Sequence, residues 1–286
     1  MNQVLKTIKM FSGGKFIRSE SGRVFEFYQP SKSSTKKTIW ANVCECSKKD
    51  IRNTVELANK SFGGWSERTP YNRGQILYRV AEIFQAREPE FLQLATKLGG
   101  LKKSIAKAEF EKCINTIVFY AGFTDKYSQL LSSVNPVQGN FLNYTNLFPL
   151  GLVAIQSKKT FSCNEIIDKL CAVICSGNVA IQFLNKKNSF ICAFLSEIFA
   201  TSDIPPGVIN ILTHSGDEVL KHASAHMEIP GLLLTSDCSK EIKVVCQENG
   251  ADHLKRINCL TKNQVDSLQL VSMFTESKTV WASTGI

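Results

Sequence analysis

The chain predicts an α/β fold, a Rossmann-like parallel sheet with helices on both faces, plus a small β arm. Three observations carry this. First, Leu152–Gln156 is an apolar run of strand length, 164–175 repeats apolar residues at Ile167, Leu170, Cys171 and Ile174, Gly177 closes the helix, and 179–183 resumes the β pattern. Second, the rhythm continues with helix 189–200, strand 208–212, helix 216–223, strand 232–235 and helix 240–247. Alternation of this kind argues for a parallel sheet covered on both sides. Third, FLNYTNLF over 141–148 is a β segment that precedes the sheet and supplies the arm. Parallel sheets bind ligands beyond the carboxyl ends of their strands, so function belongs to the loops after Gln156, Phe183, Leu212 and Thr235.

The first half of the chain supplies covering elements. Residues 13–27 and 38–43 read as two strands joined through QPSKSST. Ser47 and Asp50 form a capping-box start, after which Ile51, Val55, Ala58 and Phe62 share one helical face, and Gly63-Gly64 predicts the stop. Thr69-Pro70 opens a second helix whose apolar stripe is Ile76, Leu77, Val80, Ile83 and Phe84. A third helix ends at Gly99-Gly100, and a long fourth one runs from 104 to 131. At the other end, 265–286 reads as a helix carrying Leu268, Val271 and Phe274, then an extended tail. These boundaries divide the chain into a sheet domain over 1–260 and a tail over 261–286.

With 286 residues the chain can bury a large core, roughly three quarters of its unfolded surface. Its net charge is 34 − 25 = +9. The lysines fall in scattered pairs without interleaved aromatics, which argues against a nucleic-acid groove and leaves nucleic-acid binding the weakest alternative. Ten cysteines lack any CxxC pair, so they read as small buried hydrophobes in a reducing compartment, and no metal site is expected. No signal-like leader or apolar run of about 18 residues occurs, so the expected place is the cytoplasm, with no membrane partner.

PLGLVAI, the helix ending in SGNVAI, and SEIFATSDIPPGVINILT together resemble the cofactor-binding domain of the aldehyde dehydrogenases. The likeness runs from Phe11 to about Ile257. It implies an NAD-binding domain, and it implies that the β segment at 141–148 serves as an oligomerisation arm. SKTVW in the tail is similar to the closing residues of some members, which implies that the oligomerisation tail is kept while the interior catalytic lobe, with its nucleophilic cysteine, is missing.

Residue by residue, the resemblance also implies loss of chemistry. The loop that carries PWN in the family aligns with Lys158, Lys159 and Thr160, leaving Thr160 as a poor substitute for the oxyanion asparagine. KPSE aligns with Phe183, Leu184, Asn185 and Lys186, so the ribose-binding lysine and glutamate are gone, and Lys186 with Lys187 offers only a weak seat for an NADP phosphate. FTGS aligns with Leu234, Thr235, Ser236 and Asp237, where Ser236 or Asp237 is expected to cap the next helix and a carboxylate opposes a pyrophosphate. Leu260 stands where the general base belongs, and Cys259 is no substitute nucleophile. Vestigial cofactor positions are therefore Gln156, Ser157, Thr160, Phe183, Lys186 and Ser236, with no catalytic residue and no cofactor expected, NAD or NADP binding only weakly if at all. The expected function is a non-catalytic subunit that forms a homo-oligomer or joins a full-length aldehyde dehydrogenase. The alternative is an NAD(P)-linked oxidoreductase with residual activity on aldehydes, or one whose missing lobe comes from another chain.

Overall fold

The computed structural model describes residues 5–30, 38–260 and 266–285. Strands β1 (Lys6–Ile8), β2 (Met10–Ser12), β3 (Lys15–Ile17), β4 (Val24–Tyr28) and β5 (Ile39–Cys44) open the chain. Helices α1 (Lys48–Ser66), α2 (Pro70–Ala86), α3 (Glu88–Lys97), α4 (Lys103–Phe123) and α5 (Tyr127–Leu131) follow. Then come β6 (Ser133–Asn135), β7 (Phe141–Pro149), β8 (Leu152–Gln156), α6 (Cys163–Cys175), β9 (Val179–Asn185), a 3-10 turn at Ser189–Ile191 and α7 (Cys192–Ala200). The remainder is β10 (Ile209–His214), α8 (Glu218–Ala225), β11 (Gly231–Leu234), α9 (Lys240–Ala251), β12 (Arg256–Cys259), α10 (Ser267–Ser272) and β13 (Thr275–Ser283).

The central sheet has the order β12-β11-β8-β9-β10-β2-β3. Its first five strands are parallel, and β2 and β3 add an antiparallel hairpin at one edge. Every residue of β8 and β11 is buried, as a strand covered on both faces requires. The chain steps from β8 through α6 and α7 to β10, then returns to the other side of β8 through α8 and α9. Right-handed crossovers therefore place α6 and α7 on one face and α8 and α9 on the other. The direction reverses between β8 and β11, which makes their carboxyl ends the switch point of the sheet.

Several expected boundaries move. Residues 13–27 do not form one strand: Gly13 and Gly14, both at positive φ, turn the chain between β2 and β3. Gly63-Gly64 does not stop α1, which runs to Ser66 because fully buried Trp65 anchors its last turn and donates from Nε1 to the Ile174 carbonyl at 3.0 Å. The fourth helix breaks at 124–126, where Thr124 turns its hydroxyl back onto the Ala121 carbonyl, so α4 and α5 are separate. Helix α8 starts at Glu218 rather than Gly216. The QPSKSST connection falls largely outside the described residues.

The tail does not stand apart from the sheet. Strand β13 pairs with β7 antiparallel from Thr275 opposite Pro149 to Ser283 opposite Phe141, and β6 pairs on the far side, so β7 is the middle strand of a ribbon. Asn178 locks the foot of that ribbon to the sheet. Its Oδ1 accepts the Gly151 amide at 2.8 Å, while Nδ2 donates to the Phe274 carbonyl at 2.8 Å and to Ser176 Oγ at 2.9 Å. The Phe274 carbonyl also accepts the Leu150 amide at 3.0 Å. Gly151 (φ 128°) and Gly177 (φ 90°) take backbone conformations that side-chain-bearing residues rarely adopt, and this brings the three segments together.

Asn178 is fully buried, so Asn178→Ala strands the Gly151 amide and weakens the hold on Phe274. The expected cost is roughly 2 to 4 kcal/mol by urea denaturation. A loss well under 1 kcal/mol would show that the ribbon foot does not need this side chain.

Candidate functional site

The loops after β8, β9 and β11 meet at the switch point, and several of their backbone amides are bonded to the protein. The Thr235 amide donates to Gln156 Oε1 at 3.0 Å, and the Lys159 amide donates to Asp237 Oδ2 at 2.6 Å. The Ser157 amide donates to the Phe183 carbonyl at 3.0 Å, and the Asn185 amide to Ser157 Oγ at 3.1 Å. Asn185 Oδ1 accepts the amides of Lys187 at 3.0 Å and Asn188 at 3.2 Å. Its Nδ2 and that of Asn188 both donate to the Lys158 carbonyl, at 2.5 and 2.6 Å. Three loops are thus stitched together across the crevice.

The expected site residues divide into two groups. Gln156, Ser157 and Phe183 are buried, and each is committed to the fold: Gln156 to Thr235, Ser157 to Asn185, and Phe183 edge-on to His214 at 6.3 Å between ring centres. Thr160 and Lys186 are exposed and Ser236 is half-buried. Lys186 lies over the Phe25 ring at 5.7 Å rather than turning into the crevice. Capping of α9 differs from expectation, because Ser239, not Ser236 or Asp237, accepts the Ile242 amide at 3.3 Å. Asp237 is drawn off by the Thr235 hydroxyl at 2.6 Å and the Lys159 amide. Burial works against its ionisation, but those two donors outweigh it and hold the carboxyl below the usual range.

The unpartnered buried side-chain atoms near this crevice are acceptors, Asn188 Oδ1 after β9 and His214 Nε2 at the end of β10; Gln182 Oε1 within β9 and Asn258 Nδ2 on β12 are also without partners among the described residues. His214 Nδ1 lies 2.8 Å from the Gly216 carbonyl and so carries the ring proton, which leaves Nε2 as an acceptor. The amides of Ser157, Lys159, Thr235 and Cys238 are spent, and the Asp237 carboxylate sits between the β8 and β11 loops. A dinucleotide phosphate placed here meets negative charge and few free N–H groups. Nearby thiols are not activated either: burial pushes Cys238 up to about 11 and raises Cys259.

Asn185 and Asn188 were missed as crevice residues. The signal was present, since asparagine before a turn bonds its own backbone two and three residues on, and NKKN has that spacing.

The aldehyde dehydrogenase family model matches residues 16–261. The chain belongs to the aldehyde dehydrogenase family. It is 24% identical over 255 residues to the 2-aminomuconic semialdehyde dehydrogenase of Bos taurus, covering 89% of this chain and 50% of the relative. It is 27% identical over 256 residues to the omega-crystallin of Enteroctopus dofleini, covering 88% and 50%. Among solved structures, the NAD+ complex of an aldehyde dehydrogenase from Bacillus cereus superposes with a TM-score of 0.80 at 24% identity, over 89% of this chain and 50% of that one. This aldehyde dehydrogenase family chain therefore spans about half the length of the curated relatives it matches, and its sheet has the family fold. Among the described residues, no helix is long and apolar enough to cross a membrane.

Buried His214 gives the crevice a pH signature. Burial lowers its pKa, so the folded chain binds this proton more weakly than the unfolded chain does. Stability is complete above about pH 6.5 and falls as the pH drops towards the folded pKa, by up to about 1.4 kcal/mol per pH unit. His226 shifts in the same direction, so the wild-type slope contains both. Urea midpoints between pH 7 and 5 should fall less steeply in His214→Gln than in wild type. Equal slopes would remove His214 from the account.

Proposed function

We propose that this chain is a non-catalytic member of the aldehyde dehydrogenase family that works as a structural subunit, docking through its β6–β7–β13 ribbon against a second copy of itself. The observation that carries this reading is the composition of the two ribbon faces. Alternation along β7 and its register with β6 and β13 put Val134, Leu142, Tyr144, Phe148, Val280 and Ala282 on one face, with Asn146, Lys278 and Glu276 at one end of it. Val134 is 73% exposed, Leu142 42% and Val280 39%, an exposed apolar cluster around Tyr144 of the kind that marks an interaction surface. The opposite face carries a polar ladder, with Asn135 Nδ2 donating to Asn143 Oδ1 at 2.5 Å and Thr145 bonded to Thr279 at 2.9 Å, and at its far end the exposed Phe141 and Trp281 rings pack edge to face. A strip made of the same residues in each copy suits a twofold, self-complementary contact.

Support for the non-catalytic part comes from the bonded crevice loops. Seated in the crevice, NAD would have to displace Asp237 from Lys159 and Thr235 and find other donors. A second reading draws on the fold it shares with an NAD+ complex. In that reading the chain is a dinucleotide-linked oxidoreductase whose remaining parts come from another chain, and micromolar binding of NAD or NADP separates it from the first.

Light scattering coupled to size exclusion tests the docking. Wild type should elute at twice the chain mass, and Leu142→Lys with Val280→Lys should elute as a folded monomer. Burying uncompensated charge at such a contact costs about 3 kcal/mol or more, on the order of a hundredfold in association. A wild type that is strictly monomeric and also ignores a full-length relative contradicts the proposal, and a heteromeric complex alone would replace the second copy with that relative.

A further inference from the structure

On the face opposite α6, the N-terminal turn of α1 and the C-terminal turn of α8 enclose a groove of about 500 Å³. Its basic lining is Lys48, Lys49, Arg52, His222 and His226, and no carboxylate lines it. The floor and lip are apolar, formed by buried Ile51 with Ala225 and Met227. We propose that this groove is a binding site for a small organic anion that carries an apolar body.

Three features select that ligand class. The cations are available: Glu20 takes Lys49 at 2.5 Å, but among the described residues neither Lys48 nor Arg52 has a carboxylate within ion-pair distance. Lys48 and Lys49 begin α1, but its first turn also holds the Asp50 carboxylate, which accepts the Ser47 and Glu20 amides, so the field comes from the side-chain cations rather than from the helix end. His226 contributes a neutral donor, because its Nδ1 accepts the Glu228 amide at 3.3 Å and the proton is left on Nε2. The apolar patch supplied by Ile51, Ala225 and Met227 then favours a ring or short chain over a bare inorganic ion.

The surroundings fix which way such a ligand lies. A smaller recess of about 330 Å³ continues from the groove, sharing Lys48, Ile51 and His222, and it brings in the carboxylates of Glu45 and Glu218. These repel the charged end, and because Glu228 and Glu56 act on His226, the charged end sits against Arg52. The groove is separate from the switch-point crevice and from the ribbon, so occupancy here does not depend on the proposed docking.

Calorimetric titration of the full chain at low salt with phenyl phosphate, benzoate and benzyl alcohol tests the site. The two anions should bind, their ratio reporting whether phosphate or carboxylate is preferred, and benzyl alcohol should give no heat. Arg52→Gln removes a charge-assisted contact and should weaken phenyl phosphate about tenfold. Lys112→Gln, in a different cavity, should leave it unchanged. Because Arg52 and Lys112 are exposed, both variants should fold, and circular dichroism checks this. Equal binding by all three compounds, or an Arg52→Gln titration indistinguishable from wild type, overturns the proposal.

Discussion

The carbonyl of Phe274 holds this molecule together at its most consequential point. It receives the Leu150 amide and the Asn178 side chain, so the tail is fastened where the first strand of the sheet begins and the first crossover helix ends. The same helix end is held from outside. Trp65 donates to Ile174, Tyr127 to Ser176, and buried Arg73 donates to Cys175 and to the carbonyls of Ser66 and Arg68 at the end of α1. A guanidinium bonded to carbonyls, with the Tyr127 hydroxyl beside it, is stabilised by the negative ends of the two helices, and burial still lowers its pKa. With that junction fixed, β13 has one available course, antiparallel along β7, and the ribbon follows.

The same economy of hydrogen bonds governs the crevice. A backbone amide that donates to Gln156, Asp237, Ser157 or Asn185 cannot also donate to a phosphate without first breaking a bond of about equal strength. Phosphate sites in parallel sheets work because glycine-rich loops leave those amides unpaired and pointing outward. Here polar side chains occupy the loop positions and turn back on the backbone. The amides of Lys159, Asn185 and Thr235 are turned inward in this way.

Much of this was legible in the sequence. Buried parallel strands must be apolar throughout, so LVAIQ and VAIQFLN stood out, and the order of strands and helices followed. The alternation of β7 was also readable, but its pairing with a tail more than a hundred residues away was not, because register between distant strands is set by the junction at Asn178 and Phe274 rather than by either strand alone. Gly63-Gly64 misled because propensity is local while Trp65 is held by tertiary packing. Ser236 and Asp237 looked like caps because they come first in the loop, yet Asp237 finds stronger donors across the crevice and Ser239 is left to cap. Which bonds tie the crevice loops together could not be read, because they depend on which loops the sheet brings side by side.

Hydrogen–deuterium exchange of the full chain with and without NAD tests the central claim most directly, because it reads the crevice amides themselves. The account predicts that the amides of Lys159, Asn185 and Thr235 exchange slowly in the free protein and that saturating NAD leaves their rates unchanged. Fast exchange at these three positions that slows when NAD is added would mean the loops are open and the donors available, and would contradict it.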